Sequence, residues 1–372
     1  MNNMKIVIVH DWLVTYTGAE KVLHAILEMF PEADLYTLVD FLKDDDRKKI
    51  LKNTNVQTSF IQNLPFAKKI FRNYLPLFPK AIESFDFSKY DLIISSSWAF
   101  AKGVKKTKNQ IHICYCHTPI RYAWDLYHEY TSNLKQPKKY IVQKTLSYIS
   151  KWDLRTLDRV DFFIANSKFV QNRISKTYGS KSEVIYPPVD TLSFKLNKDK
   201  SDFYLTISRL VPYKKTKLIV EAFNDMPNKK LIVIGDGEEY DSIKQIAKDN
   251  ICVLGYQKKE DIVEYMQNAK AFVYAAIEDF GIVPIEAMAC GTPVIALDKG
   301  GTLETVSDEV SGLHFSEQTK ESIIDAIKRF ESKKYNYDII SESSQRYSID
   351  RFKKEIKKFI ESKVGNIDEV NI

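Results

Sequence analysis

Short runs of β-branched and other apolar residues alternate along almost the whole chain with longer segments whose apolar residues recur at helical spacing. KIVIVH is followed by AEKVLHAILEMF and then by DLYTLV, a rhythm that predicts parallel strands joined by crossover helices. DLIISSS (91–97), IHICYCH (111–117) and DFFIANS (161–167) predict further strands of the kind covered on both faces. The rhythm breaks at SEVIYPPVD, where Pro187 and Pro188 remove two backbone donors and forbid helix. It restarts in FYLTISR (203–209), KLIVIGD (230–236), ICVLGY (251–256), AFVYAA (271–276) and PVIAL (293–297). The expectation is an α/β chain of two doubly wound, Rossmann-like domains, 1–187 and 188–348, facing each other across a cleft. Ile349, Phe352, Ile356, Phe359 and Ile360 recur at helical spacing among charges, which predicts a closing amphipathic helix. That helix, within about 349–372, is expected to return to the N-terminal domain.

A length of 372 residues suits two domains, at roughly 150 residues per domain. No apolar stretch approaches the roughly 18 residues needed to cross a bilayer, and Ile6 to Val9 is too short a run for a signal-peptide core. A cytoplasmic location follows as the expectation. Cys114, Cys116, Cys252 and Cys290 sit in apolar strings and form no Cys-x-x-Cys pair, so buried free thiols are expected. His112 and His117 lie too close to Cys114 and Cys116 along one strand to wrap an ion, and no metal is expected.

The net charge of +6 is concentrated. Between Leu134 and Lys176 ten Lys and Arg face three Asp, with Tyr140, Tyr148 and Trp152 interleaved. Such a segment fits an anionic membrane surface or a solvated helix face whose long side chains cover apolar surface. With no zinc-finger, RRM or basic-zipper signature in the chain, nucleic acid is not the expected partner.

In doubly wound sheets, ligands bind at the carboxyl ends of the strands, so chemistry is sought in the loops that follow them. AFVYAA leads into IEDFGIVPIEAMACG, where Glu278 and Glu286 are separated by seven residues around Gly281 and Pro284. A helix starting there offers free N–H groups and partial positive charge to a phosphate. The flanking carboxylates suit sugar hydroxyls, although acidic residues also favour the first turn of any helix. FYLTISR leads into LVPYKK, placing Arg209 and Lys214 in one loop. Two cations there could neutralise a departing diphosphate, or could simply be solvated charges.

The first strand ends in HDWLVTYTGAEKV, where Gly18 precedes a helix and either opens its backbone to phosphate or serves only as a turn. The absence of Gly-x-Gly-x-x-Gly there argues against a nicotinamide enzyme. IHICYC ends in His117, followed by Arg121, Trp124 and Asp125; a histidine so placed can bond a substrate hydroxyl or handle a proton, or can be structural. His10 and Asp11 invite the same reading. Gly235 and Gly237 form a turn expected to border a nucleotide base, and Glu304 in GGTLETV is read as a helix cap.

At these residues the sequence resembles the retaining family-4 glycosyltransferases of the two-domain GT-B type, over nearly its whole length. EDFGIVPIEAMACGTPVIA matches that family's Glu, seven residues, Glu motif, and SRLVPYK its Arg and Lys phosphate loop. HDWL with GAEKV, CYCHTPIRYAWD and GGTLETV are similar to the mannosyltransferase branch of bacterial O-antigen, capsule and exopolysaccharide synthesis. The resemblance implies transfer of a hexose, with mannose from GDP-mannose the expected donor, to a lipid-linked saccharide at the cytosolic membrane face, with retention and without a metal or other cofactor. It implies Arg209 and Lys214 on the diphosphate, Glu286 on the ribose and Glu278 on the transferred sugar. Phe280, Gly281, Ile282 and Val283 would run along the donor, and His117 would contact its sugar. Arg121 and Trp124, with Lys138, Lys139 and Lys144, are assigned to the acceptor and membrane side. The sequence departs from the family in having Thr17 before Gly18 and Lys215 after the loop lysine. A UDP- or dTDP-sugar donor, a nucleotide-sugar epimerase and a non-enzymatic nucleotide-sugar or polyanion binder are the competing readings.

Overall fold

A computed structural model describes residues 4–364 apart from Asn53 and Asn133. The chain divides into two compact units: one takes the chain up to Pro187 and regains it from Phe352, and the other is Pro188–Arg351.

The first unit is built on strands β1 (Ile6–His10), β2 (Asp34–Thr37), β3 (Val56–Thr58), β4 (Leu92–Ser97), β5 (Ile111–Cys116), β6 (Phe162–Ala165) and β7 (Ser182–Val184). All pair in parallel in the order β3-β2-β1-β4-β5-β6-β7. Successive β1 side chains face opposite layers. Ile6 and Ile8 join Leu23 and Ile26 of the helix Gly18–Met29, while Val7 and Val9 join Phe78, Phe100 and Trp152. The closing helix Ile349–Val364 buries Phe352, Ile356, Phe359 and Ile360 in the first of these clusters, at roughly 1.5–3 kcal/mol per fully buried side chain. The part of the expected C-terminal segment beyond Val364 lies outside the described residues.

The second unit is a six-stranded parallel sheet. Its strands are β8 (Tyr204–Ile207), β9 (Leu231–Ile234), β10 (Ile251–Gly255), β11 (Ala271–Tyr274), β12 (Val294–Leu297) and β13 (Gly312–Phe315), in the order β10-β9-β8-β11-β12-β13. Val233, Val273 and Ile295 meet Ile219, Phe223 and Phe330 on one face, and Leu205, Phe272 and Ala296 meet Met288 on the other. Strand order therefore reverses direction between β1 and β4 in the first sheet and between β8 and β11 in the second, and at such a switch point two loops diverge to leave a crevice.

Three short strands, β3, β7 and β13, were not anticipated by the alternating pattern; each is only three or four residues long and adds to a sheet edge. Cys114, Cys116 and Cys290 are buried free thiols as expected, whereas Cys252 is exposed: it lies on the edge strand β10, where its neighbours Ile251 and Val253 are the residues that join the core. The basic segment forms the helix Lys138–Arg155, which buries Leu146, Ile149, Trp152 and Asp153. Among the described residues no helix is long and apolar enough to cross a membrane.

Candidate active site

In the second unit the loops after β8 and β11 leave the sheet at its switch point. Arg209 is exposed in the first of these loops. Lys214 ends the single 3-10 turn Pro212–Lys214. Its ammonium donates to Glu278 Oε1 and, at 3.4 Å, to the Tyr274 hydroxyl. Burial pushes the Lys214 pKa down, but Tyr274 and the Glu278 carboxylate more than offset it and hold the pKa above its ordinary value. The switch point thus brings a cation of one loop onto a carboxylate of the other. Lys215 adopts a left-handed conformation at φ +58° and opens the helix Thr216–Asn224, the position where the resembled family often has glycine.

Gly281 caps the helix Ile282–Ala289, with Pro284 inside its first turn. Glu286 is buried and falls in the second turn, so the ordinary preference of acidic residues for a first turn does not account for it. Phe280 is a correction to its expected donor-lining role: the ring is buried and packs edge-on against Tyr347 at 5.5 Å. Ile282 and Val283 are half-buried. The neighbouring GGTLETV loop is locked to this one. The Gly301 N–H donates to Glu278 O at 2.8 Å, and a Cβ at Gly301 would lie 2.4 Å from the Phe280 backbone, so only glycine permits the approach. Gly235 is equally constrained, since a Cβ there would meet Ser208 O at 1.8 Å; it seats the turn after β9 against the start of the Arg209 loop. Glu304 lies in the first turn of the short helix Thr302–Thr305.

In the first unit the loops after β1 and β4 diverge at the other switch point, and Asp11 ties them together. Its carboxylate accepts the backbone N–H groups of Trp98, Ala99, Phe100 and Ala101 at 2.6–2.9 Å. Trp98 is thereby held edge-on to His10 and His117, with ring centroids 4.9 and 5.8 Å apart. His117 Nε2 lies 2.9 Å from Ser96 Oγ, which lies 3.1 Å from His10 Nδ1. Burial, with a smaller contribution from His10, pushes the His117 pKa down to about 3, so the ring is neutral at ordinary pH, with one donor and one acceptor nitrogen. Gly18 is the first residue of its helix and Thr17 the cap: Glu20 Oε2 accepts the Thr17 N–H and hydroxyl at 2.9 and 2.6 Å. The threonine that departs from the family pattern thus completes a capping box.

The remaining expected residues divide. Arg121 pairs with Asp125 at 3.1 Å, and Arg173 bonds the Thr118 hydroxyl at 2.7 Å beside it. Trp124 is turned inward, a correction to its acceptor-side assignment: its indole N–H donates to Asp153 Oδ2 at 2.8 Å, and the same carboxylate holds the buried Lys102 and the Tyr178 hydroxyl. Lys138 and Lys144 are exposed and Lys139 half-buried on the basic helix. Ser96, Trp98 and Tyr274 were missed. Ser96 and Tyr274 sit at strand ends inside apolar runs, and only their position there could have flagged them. Among the described residues no group of three or more His, Cys, Asp or Glu side chains converges as a metal site.

Two family profiles match this chain: Glycosyltransferase Family 4 over residues 16–192 and Glycosyl transferases group 1 over residues 189–350. Each matches one unit, and together they run through both switch-point sites. The chain belongs to the family-4 glycosyltransferases. The chain is 28% identical to the O-antigen chain mannosyltransferase RfbU of Salmonella typhimurium over 54% of its own length and 62% of that protein's. It is also 28% identical to the alpha-1,3/1,6-mannosyltransferase ALG2 of Saccharomyces cerevisiae, over 44% of each chain. The matches to these curated relatives therefore span less than two thirds of their lengths. Solved structures share the fold across the whole chain. Anabaena HepE, crystallised with UDP and glucose, matches with a TM-score of 0.70 at 21% identity over 96% of this chain and 100% of that one. The lipopolysaccharide outer core galactosyltransferase WaaB matches with a TM-score of 0.68 at 18% identity, over 97% and 100%. The chain has the GT-B fold, with two Rossmann-like parallel-sheet units.

Proposed function

We propose that the chain transfers a hexose, mannose from GDP-mannose, with retention onto a lipid-linked saccharide in the assembly of a bacterial surface polysaccharide. The observation that carries the transferase part is the meeting of Lys214 with Glu278 at the switch point between β8 and β11. A cation for phosphate and a carboxylate for sugar hydroxyls stand together there, as a nucleotide-sugar requires. An epimerase or a passive binder has less need of this combination with Arg209 and Glu286. In the proposed reaction Arg209, Lys214 and the helix start at Ile282 take up charge on the departing diphosphate. Glu278 bonds hydroxyls of the sugar, Glu286 bonds the ribose, and in the first unit neutral His117 is available to a ligand hydroxyl; the acceptor hydroxyl attacks the anomeric carbon from the face the diphosphate leaves, as the sugar–phosphate bond breaks and the hydroxyl proton passes to the departing phosphate oxygen. These residues account for the charge change without a metal.

Mannose is favoured by the O-antigen and ALG2 mannosyltransferases among the relatives. A uridine donor is the second reading, because HepE binds UDP and glucose. A cytoplasmic, peripheral membrane position is favoured by the basic helix, where Tyr140, Ile141 and Tyr148 are 57%, 61% and 45% exposed beside Lys138 and Lys144, a combination suited to an anionic bilayer surface.

The test is ligand-induced thermal stabilisation with GDP, GDP-mannose, UDP, UDP-glucose, UDP-N-acetylglucosamine and dTDP-rhamnose, in EDTA. A ligand that binds only the native state raises its stability. A shift confined to the guanine nucleotides supports the mannosyltransferase, a shift confined to uridine nucleotides replaces the donor, and no shift with any of them overturns the nucleotide-sugar site.

A further inference from the structure

Glu20, His10, Ser96 and His117 form a line through the first unit that the proposed transfer does not use beyond its last member. Glu20 Oε2 is committed to the helix cap at Thr17, which leaves Oε1 facing His10 Nε2 at 3.7 Å. His10 is fully buried, and its Nε2 makes no hydrogen bond among the described residues. Its other nitrogen, Nδ1, meets Ser96 Oγ at 3.1 Å, and the same oxygen meets His117 Nε2 at 2.9 Å. Nδ1 of His117 makes no hydrogen bond among the described residues, and the residue is half-buried. A hydroxyl between two imidazole nitrogens can donate to only one of them. The direction it takes on the His10 side therefore dictates the direction on the His117 side.

We propose that Glu20, acting through His10 and Ser96, decides which nitrogen of His117 carries the proton. The Glu20 carboxylate favours a proton on His10 Nε2. With His10 neutral in that tautomer, Nδ1 accepts from the Ser96 hydroxyl, Ser96 accepts from His117 Nε2–H, and His117 offers a bare Nδ1 to a ligand hydroxyl. With His10 in its other neutral tautomer, Nδ1–H donates to Ser96, Ser96 is turned to donate to His117 Nε2, and His117 presents Nδ1–H instead. The tautomer of His10 thus sets whether His117 offers an acceptor or a donor. The charged and titratable groups facing His10 are Glu20 on the helix Gly18–Met29, Asp11 beside it in the chain and His117 at the end of β5. Asp11 is already committed to four backbone amides, which leaves Glu20 as the partner that acts on His10. Glu20, His10 and Ser96 are positioning residues, and their effect on transfer rests on the glycosyltransferase function proposed above.

The test reads the tautomer directly in the full chain labelled with imidazole nitrogen-15 histidine, by long-range proton–nitrogen correlation at about pH 7.5. The chain has six histidines, and His117→Asn identifies the signals of His117. The expected result is that Glu20→Gln, which keeps an acceptor for the Thr17 cap, changes the tautomer of His117, and that Ser96→Ala removes the dependence on His10. The signals of His24, His112, His128 and His314 report an intact fold. A His117 tautomer unaffected by Glu20→Gln overturns the proposal; should that variant not fold, a tautomer unaffected by Ser96→Ala overturns it equally. The spectra need no nucleotide, so their outcome is separate from failure of the nucleotide panel.

Discussion

Lys214 and Glu278 form an ion pair that links the loop after β8 to the loop after β11, with the two side chains only 16% and 23% exposed. The carboxylate therefore occupies the cation that a diphosphate would need. Glu278→Gln removes that competition. Bare nucleoside diphosphate is expected to bind about 3–10-fold more tightly to this variant, a gain of roughly 0.7–1.4 kcal/mol, while sugar transfer slows. Calorimetric titration alongside turnover checks this, and weaker diphosphate binding by the variant would show instead that Glu278 holds Lys214 in place for phosphate.

Arg209 is exposed, so Arg209→Ala is expected to leave the melting temperature nearly unchanged. Loss of a charge-assisted contact worth about 1.5–3 kcal/mol should lower turnover by roughly one to two decades. A folded variant with the wild-type rate removes Arg209 from the mechanism.

His112 is buried, with Nδ1–H donating to Arg159 O and Nε2 accepting from Ser95 Oγ, both at 2.8 Å. Burial pushes its pKa down to about 4, whereas an unfolded histidine titrates near ~6.5. The unfolded chain then binds the proton more readily, so stability is whole above about pH 6.5 and declines as pH falls toward 4. The shift corresponds to roughly 3 kcal/mol, and His117 adds an effect of the same sign. Urea unfolding at pH 7.5 and pH 4.5 should show the decline, and His112→Asn should flatten part of it. Glu28, held down to about 2 chiefly by Lys52 and Lys353 against the opposing effect of burial, contributes to acid loss only below its ordinary range.

Lys215 holds a left-handed backbone at φ +58°, which costs a non-glycine residue about 1–2 kcal/mol. Glycine relieves that strain but loses more chain entropy on folding, by about 0.5–1 kcal/mol. Lys215→Gly is therefore expected to be neutral or stabilising by up to about 1 kcal/mol, read as the midpoint of chemical unfolding. A clear loss of stability would mean that the lysine side chain compensates for its backbone.

The strands that carry the two sites were legible because each is a run of apolar residues in a buried parallel sheet, and the loops that follow them could be searched directly. Arg209, Lys214, Glu278 and Glu286 stood out there as charges next to apolar strands. The contact between Lys214 and Glu278 was not legible, since the two are 64 residues apart in the chain and meet only through the order of the strands. Trp124 was misread because nothing local shows that Asp153, 29 residues later, draws its indole inward. Phe280 was misread for the same reason, with Tyr347 as the distant partner. Thr17 and Glu20 carried a capping-box spacing that local reasoning could have found; that the second oxygen of Glu20 reaches toward His10 depends on the helix packing over β1.

The helix Ile349–Val364 has a consequence for how the chain is made. The first unit keeps a face of its sheet open for Phe352, Ile356, Phe359 and Ile360. At about 5–20 residues per second, synthesis needs on the order of ten seconds or more to pass from Pro187 to those residues. During that interval the second unit can finish its own core while the first, begun earlier, waits with apolar surface uncovered. The unit that emerges first from the ribosome is the last to be sealed, and in that window it is the part of the nascent chain that a chaperone has reason to hold.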